Sequence, residues 1–208
     1  MVFKNREEAG KKLAEKLKDF QDSQDLIVLA IPRGGLVIGK QLSLVLNCPL
    51  DILVTKKIGA PNNSELAIGA VGITGEPVIN EELTSRLGID KEYLEKEITG
   101  RKAEVERRVK EYRGNKPAVK LEDKIVIITD DGVATGATMA AAIEVIRQQE
   151  PKKIVVAIPV ISRDSMPKLE EQADEIVYLE APLMFFAVGQ FYQEFDQVSD
   201  KEVKELLR

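Results

Sequence analysis

The sequence predicts an α/β fold, with a mainly parallel sheet of about five strands and helices on both faces of the sheet. Two observations lead to this prediction. Short runs rich in Val, Ile and Leu recur along the chain, as in strands that are buried on both faces. Stretches with helical spacing alternate with these runs, which is typical of parallel sheets. The apolar runs are residues 26–31, 50–54, 125–128, 154–158 and 175–179.

The composition fits one domain of ordinary size. The chain has 208 residues, of which 44% are hydrophobic and 31% are charged, with a formal net charge of −5. These values allow a real core, and they argue against a nucleic-acid partner, which would require a basic face. We expect residues 1–208 to form a single domain. Within it, residues 80–117 are a helical insertion and residues 181–208 are a C-terminal hood or tail.

Cysteine and histidine usage excludes several kinds of site. Cys48 is the single cysteine, so no internal disulfide can form, and we interpret it as a buried structural thiol. The absence of histidine excludes Ser-His-Asp and Cys-His nucleophile systems and the usual zinc sites. No apolar run approaches membrane-spanning length, and the N-terminus carries charges from Lys4 onward. We therefore expect a soluble, cytoplasmic protein with no membrane contact.

The elements of the first part of the chain follow from spacing and turn signals. Leu13, Leu17 and Phe20 have helical spacing, which predicts an amphipathic helix over residues 5–20. A strand, a helix and a second strand follow, then a loop rich in Gly, Pro and Asn, then two short strands joined by a turn at Thr74 and Gly75. In order, these segments are residues 26–31, 34–46, 50–54, 56–65, 68–72 and 77–79.

A long, highly charged helix is predicted over residues 90–113, where the Gly and Pro of residues 114–117 end it. Its charges could mark a nucleic-acid-binding element. They alternate in sign, however, as on a solvated helix face, and we interpret it as a cap or packing helix. Strand and helix then alternate to the end of the sheet, at residues 125–128, 139–149, 154–158, 165–173 and 175–179.

The segment 125–138 carries the strongest functional signal. Asp130 and Asp131 directly follow a buried strand, at the edge where ligands of open α/β sheets bind. Carboxylates accept hydrogen bonds from vicinal hydroxyls. The loop that follows opens into a helix, whose N-terminal amides and partial positive charge suit a phosphate. A sugar phosphate fits both halves, with its phosphate on Ala134, Thr135, Gly136, Ala137 and Thr138. The alternative is a plain strand-ending turn in which Thr135 is an N-cap.

This segment resembles the phosphoribosyl diphosphate (PRPP) motif of type I phosphoribosyltransferases. That motif consists of an apolar strand, two acidic residues and a short loop that ends in Thr-Gly and a further Thr or Ser. The resemblance implies the family's fold, a mainly parallel sheet with a small hood, and its reaction, in which a base displaces diphosphate from PRPP. It also implies a Mg²⁺ ion held mostly by substrate and water rather than by protein ligands. The substrates would be PRPP and a nucleobase.

Three further segments fit the same family. Arg33, Gly34 and Gly35 follow the first strand, where the family has its diphosphate-binding loop, often with a strained or cis peptide. Paired glycines allow close approach to an anion, although they also occur in plain βα turns. Lys56 and Lys57 begin a segment that resembles the family's mobile lid, and one of them would meet the leaving diphosphate. Glu65 stands at about the position where adenine phosphoribosyltransferases have an acidic residue in this loop.

The segment after the last strand resembles the base pocket of purine phosphoribosyltransferases. Phe185 or Phe186 would stack on the base and Val188 would offer backbone groups to its edge. The alternative is that these side chains pack in the core or between the subunits of a homodimer.

The sequence also departs from known members of the family. Ala134 stands where the 6-oxopurine enzymes have an Asp, and the strand at residues 157–159 lacks their base-reading Lys. The whole chain is most similar to bacterial phosphoribosyltransferases of unassigned substrate. We therefore predict transfer of ribose 5-phosphate from PRPP to a nucleobase, with purine favoured. The alternative is a non-catalytic regulator that binds PRPP or a nucleotide on the same fold.

Overall fold

The computed structural model describes residues 2–73, 76–114 and 116–208, apart from the side chain of Glu65. The predicted turn at Thr74 and Gly75 lies outside these residues. The helices are α1 (Arg6–Lys16), α2 (Gly35–Leu46), α3 (Glu81–Arg86), α4 (Lys91–Arg113), α5 (Ala137–Arg147), α6 (Met166–Glu170) and α7 (Asp200–Leu206). The strands are β1 (Leu26–Ala30), β2 (Leu50–Ile52), β3 (Lys56–Ala60), β4 (Asn63–Val71), β5 (Pro77–Ile79), β6 (Ile125–Thr129), β7 (Lys153–Val160) and β8 (Glu175–Glu180).

The main sheet confirms the predicted fold class. Its five strands have the order β2-β1-β6-β7-β8, and all neighbouring strands are parallel. Every residue of β1 is buried, as its continuous apolar run predicts. Alternate side chains of the sheet enter two cores. One core lies under α1 and α2, where Leu13 and Leu42 contact the sheet, and the other lies under α5, where Ile143 does so.

The predicted loop over residues 56–65 is wrong, because this segment forms part of a second sheet. Strands β3, β4 and β5 make an antiparallel sheet of three strands. Ile58 and Ala60 are buried in a third core, and Pro61 and Asn62 form the turn between β3 and β4. The Gly, Pro and Asn residues mark only this turn and an irregular register near Gly59, where a side chain would collide with Ser64.

The long charged helix α4 agrees with the prediction over residues 90–113. The side chain of Asp90 caps its first turn, and Gly114, with a φ of +65°, ends it. Val105 and Tyr112 are buried in the third core, beside strands of the second sheet. Helix α4 is therefore a packing helix, and it packs on the second sheet.

Helix α7 was not predicted, although Ser199 and Glu202 form a capping box at its start that the sequence already contained.

Cys48 is half-buried, and burial raises the pKa of its thiol to about 11. In the described part of the chain, no helix is both long and apolar enough to cross a membrane.

We expect strand β3 to be protected from hydrogen exchange even without ligand, contrary to the behaviour of a mobile lid. Its residues pair with β4, for example Ile58 with Gly69, and the Tyr93 hydroxyl of α4 donates to the carbonyl of Gly59 at 2.9 Å. Such contacts slow local opening to about minutes or longer. Amides near the exposed Leu183 serve as the fast-exchanging control. Equally fast exchange of β3 and of the control would contradict this expectation.

Candidate functional site

The acidic pair lies where the sequence predicts it, directly after β6. The hydroxyl of Thr129 donates to the carbonyl of Ala157 at 2.7 Å and joins the end of β6 to β7. The carboxylate of Asp130 then accepts from the backbone amide of Asp131 at 2.8 Å. Burial, and next the adjacent charge of Asp131, raise the pKa of Asp130 well above its usual value. A shifted pKa of this kind is typical of functional sites.

Asp131 has a partner that sequence reasoning missed. Arg6 on α1 donates through Nε to a carboxylate oxygen of Asp131 at 2.8 Å, and both side chains are mostly buried. The guanidinium of Arg6 also lies 3.8 Å from the ring centroid of Phe195. The hydroxyl of Tyr192 donates to the carbonyl of Asp131 at 2.6 Å. The N- and C-terminal segments thus fix the position of Asp131.

The paired glycines after β1 pack against the acidic pair. A Cβ atom on Gly34 would lie 1.9 Å from a carboxylate oxygen of Asp131. On Gly35 it would lie 3.0 Å from the Cα of Asp130 and 3.2 Å from a carboxylate oxygen of the same residue. Close contact between the two loops therefore requires glycine here, in addition to any approach to an anion.

The loop after β1 contains a cis peptide bond between Pro32 and Arg33. The side chain of Arg33 is about one-third exposed, and its Nη1 lies 3.8 Å from a carboxylate oxygen of Asp200. The Tyr112 hydroxyl donates to the same oxygen at 2.6 Å. A long ion pair thus joins Arg33 on this loop to the N-terminus of α7.

The predicted phosphate loop connects the sheet to α5. Val133 extends the pairing with the chain after β7, since its amide donates to the carbonyl of Val160 at 2.9 Å. Gly136 has a φ of +73° directly before α5, a conformation that favours glycine. Thr135 on the loop and Thr138 in the first turn of α5 are both exposed. The first amides of a helix have no partner within the helix, so this loop is suited to hold an anion.

A cavity of about 330 Å³ brings together segments that are distant in the sequence. Its walls include Pro32, both lysines at the start of β3, the phosphate loop and Arg108 of α4. Lys56 forms an ion pair with Glu104 at 2.6 Å. This contact with Lys56 is the main cause of the lowered pKa of Glu104. Arg108 was not among the predicted site residues.

A second cavity, of about 420 Å³, continues on the other side of Pro32. Its walls include Arg33 and Gly34, the acidic pair and Arg6. The predicted site residues divide between the two cavities. Lys56, Lys57, Thr135, Ala137 and Thr138 line the first, and Arg33, Gly34, Asp130 and Asp131 line the second.

The predicted base-binding residues lie in different environments. Val188 packs over the acidic-pair loop, because a Cβ on Gly132 would lie 2.6 Å from its Cγ1 atom. Phe185 packs against Phe191, with 5.1 Å between the ring centroids. Phe186 is 84% exposed. Of the two aromatic candidates, Phe186 alone presents most of its ring to solvent.

Comparison with known proteins shows the family of the chain. The model of the phosphoribosyl transferase domain family matches residues 3–195. The chain belongs to this family.

Two relatives within the phosphoribosyl transferase family come from Mycobacterium tuberculosis, strains CDC 1551 / Oshkosh and H37Rv, and their names assign them provisionally to the phosphoribosyl transferases. Each is 37% identical to this chain over 202 residues, which are 97% of the chain but 45% of the relative's length. The chain thus spans less than half the length of these curated relatives.

Solved structures show the same fold. The crystal structure of TT1426 from Thermus thermophilus has a TM-score of 0.92 and 38% identity, and the match covers 100% of this chain and 98% of that one. The AQ2163 protein of Aquifex aeolicus has a TM-score of 0.51 and 16% identity, over 84% of this chain and 73% of its own. The second likeness concerns the fold alone.

Two arginines of the candidate site were missed by sequence reasoning for different reasons. Arg6 lies 125 residues from its partner Asp131, and no local pattern connects them. Arg108 stands in a run of alternating charges that resembles a solvated helix face. The burial of Val105 and Tyr112 beside it was the available signal, because these apolar residues mark the inner face of α4.

Proposed function

We propose that this chain transfers ribose 5-phosphate from PRPP to a ring nitrogen of a nucleobase and releases diphosphate. The observation that carries this proposal is the meeting of the acidic pair, the phosphate loop and the loop after β1 at one edge of the parallel sheet. In the reaction, the bond from ribose C1 to diphosphate oxygen breaks and a bond from C1 to the base nitrogen forms. The proton on that nitrogen leaves to solvent.

The proposed roles follow the chemistry of each group. Asp130 and Asp131 accept hydrogen bonds from the ribose hydroxyls and orient the sugar. The loop from Ala134 to Thr138 holds the 5-phosphate. Arg33, Gly34 and Gly35 face the diphosphate, where Lys56 or Lys57 stabilises the charge that develops as it leaves. The side chain of Glu65, a further candidate, lies outside the described residues, and a role for it stays a prediction.

A purine is the favoured base. Val188 packs against the loop that contains Asp130 and Asp131, and the neighbouring Phe186 offers an exposed ring for stacking. The side chain of Gln190 holds this segment, because its oxygen accepts from the backbone amide of Phe186 at 3.2 Å and its nitrogen donates to the carbonyl of Met184 at 3.1 Å. A fixed backbone here supports recognition of the edge of a base.

The residues fit a Mg²⁺ ion that arrives with the substrate. In the part of the chain that the structure describes, no group of at least three Asp, Glu, Cys or His side chains lies ready to hold a metal. Asp130 and Asp131 offer oxygen atoms beside the cavity, which suits an ion bound mainly by phosphate oxygens and water. When bound, the ion neutralises charge on the diphosphate.

A regulator that binds PRPP without turnover is the second candidate. One observation favours it: Lys56, a proposed partner of the leaving group, is already paired with Glu104 at 2.6 Å. A sensor needs affinity for the ligand, whereas a catalyst needs stronger contacts in the transition state.

The experiment measures diphosphate release from Mg-PRPP with a panel of purine and pyrimidine bases. We expect one base to accelerate release over the rate without any base, and calorimetry to detect binding of Mg-PRPP. Asp130→Asn/Asp131→Asn, prepared in parallel, controls for contaminating activity. Tight PRPP binding without acceleration by any base would contradict transfer to nucleobases and favour the sensor.

A further inference from the structure

Helix α4 directs one of its arginines inward. Arg108 lies between the buried residues Val105 and Tyr112 at helical spacing. Its Cβ is therefore on the face of α4 that packs on the second sheet. Its side chain is 35% exposed and lines the cavity of about 330 Å³ beside Lys56 and Lys57. Arg108 is thus directed toward the site rather than toward bulk solvent.

Arg108 also borders the loop with the cis peptide from its other side. A polar cavity of about 260 Å³ lies between Pro32 and Arg33 on one wall and helix α4 on the other. Three arginines and two carboxylates line it, together with Pro32 and Tyr112: Arg33, Arg107, Arg108, Glu111 and Asp200. The two cavities meet at Pro32, and Arg108 lines both. Its guanidinium is therefore near the loop amides and the lysines that the proposed function assigns to diphosphate.

The ion pair of Arg108 is loose. Its Nη2 lies 3.8 Å from Glu104, which is closer to Lys56, at 2.6 Å. Glu104 also lies 3.9 Å from Arg101. Arg101 is paired more closely with Glu97, at 2.9 Å, so Glu104 is shared mainly by Lys56 and Arg108. One carboxylate balances the charge of only one of these two cations. An incoming anion with several oxygen atoms would complement the remaining positive charge.

We propose that Arg108 is a further binding residue, which contacts the diphosphate group of PRPP from helix α4. This proposal rests on the proposed function, since it names the group that one part of that site holds. The planar guanidinium can donate two parallel hydrogen bonds to phosphate oxygens, which an ammonium group cannot match. Helix α4 thus supplies a cation beside Lys56 and Lys57, the start of the segment that resembles a mobile lid in the sequence.

The test compares binding of Mg-diphosphate and of Mg-PRPP by calorimetry in wild type, Arg108→Ala and Arg108→Lys. We expect Arg108→Ala to weaken binding of both ligands by about ten-fold, as for loss of a charge-assisted hydrogen bond. Arg108→Lys should recover part of this loss because it keeps the charge. Affinity for a nucleoside monophosphate, which lacks the diphosphate, should change by less than about two-fold.

Lys110→Ala is the matched control. It removes the same charge from the same helix, but Lys110 is exposed and lies about 140° around the helix from Val105. An equal loss of affinity in Lys110→Ala would show that the loss depends only on net charge, and it would overturn the proposal. Wild-type affinity in Arg108→Ala would also overturn it, and would leave the proposed function intact. If wild type binds neither ligand, the proposed function fails together with this inference. Thermal melting establishes that each variant is folded, and Arg108→Gln replaces Arg108→Ala if the latter is not.

Discussion

Replacing Asp130 and Asp131 together by asparagine should weaken binding of Mg-PRPP by at least about a hundred-fold. Each carboxylate is proposed to accept a hydrogen bond from a ribose hydroxyl, and bonds to charged groups contribute about 1.5–3 kcal/mol each. Calorimetry with Mg-PRPP measures the loss. Unchanged affinity in the double variant would mean that the ribose site lies elsewhere.

The single variants should differ in stability even where both lose affinity. In the folded protein the pKa of Asp130 is raised by burial and by the charge of Asp131, so its ionised form is disfavoured. Stability from this group is complete below the unfolded pKa of about 3.9 and is lost as pH rises toward the folded pKa. Asp130→Asn removes this loss and should melt at or above the wild-type temperature near pH 7. The difference in melting temperature between Asp130→Asn and wild type should decrease toward pH 4.

Asp131→Asn should instead lower the melting temperature, because it leaves the mostly buried Arg6 without its carboxylate. Melting both variants between pH 4 and pH 8 separates the two effects. A fall of equal size in both variants near pH 7 would contradict the distinct roles that the contacts of Asp130 and Asp131 indicate.

The sequence predicted those parts of the site that depend on local order. Asp130, Asp131 and the phosphate loop follow one strand within a few residues, and the end of a buried parallel strand determines which edge of the sheet they occupy. Gly34 and Gly35 follow the neighbouring strand β1, so parallel pairing of β1 with β6 brings them together. Local pattern and sheet topology suffice for this half of the site.

The remaining half depends on contacts between distant elements. The sequence predicts a loop where the second sheet begins, because Gly, Pro and Asn obscure the alternation of Ile58 and Ala60 in the short strand β3. Its stability comes from packing on α4, as in the contact of Tyr93 with Gly59. Arg6 reaches Asp131 only when the N-terminal helix lies on the sheet. Such tertiary contacts leave little trace in a single sequence.

Gly34→Ala should be among the most damaging small substitutions in the chain. Gly34 has a φ of −60° and a ψ of −36°, which any residue can adopt, so the requirement for glycine is spatial. The added Cβ would lie 1.9 Å from a carboxylate oxygen of Asp131 and 2.9 Å from Nε of Arg6. Because the ion pair holds that oxygen in place, the loop or the carboxylate must move. We expect a loss of about 1–3 kcal/mol in the free energy of unfolding, as in overpacked cores.

Gly100→Ala provides the matched control for this prediction. Gly100 lies within α4, and a Cβ there would meet no atom within 4 Å. Alanine in a helix interior should stabilise the protein by about 0.5–1 kcal/mol, so the two substitutions should shift stability in opposite directions. Denaturant unfolding measures both, and calorimetry should show weaker Mg-PRPP binding in Gly34→Ala alone. If Gly34→Ala unfolds like wild type and binds Mg-PRPP equally well, the close packing of the loop after β1 on Asp131 is not required for the proposed site.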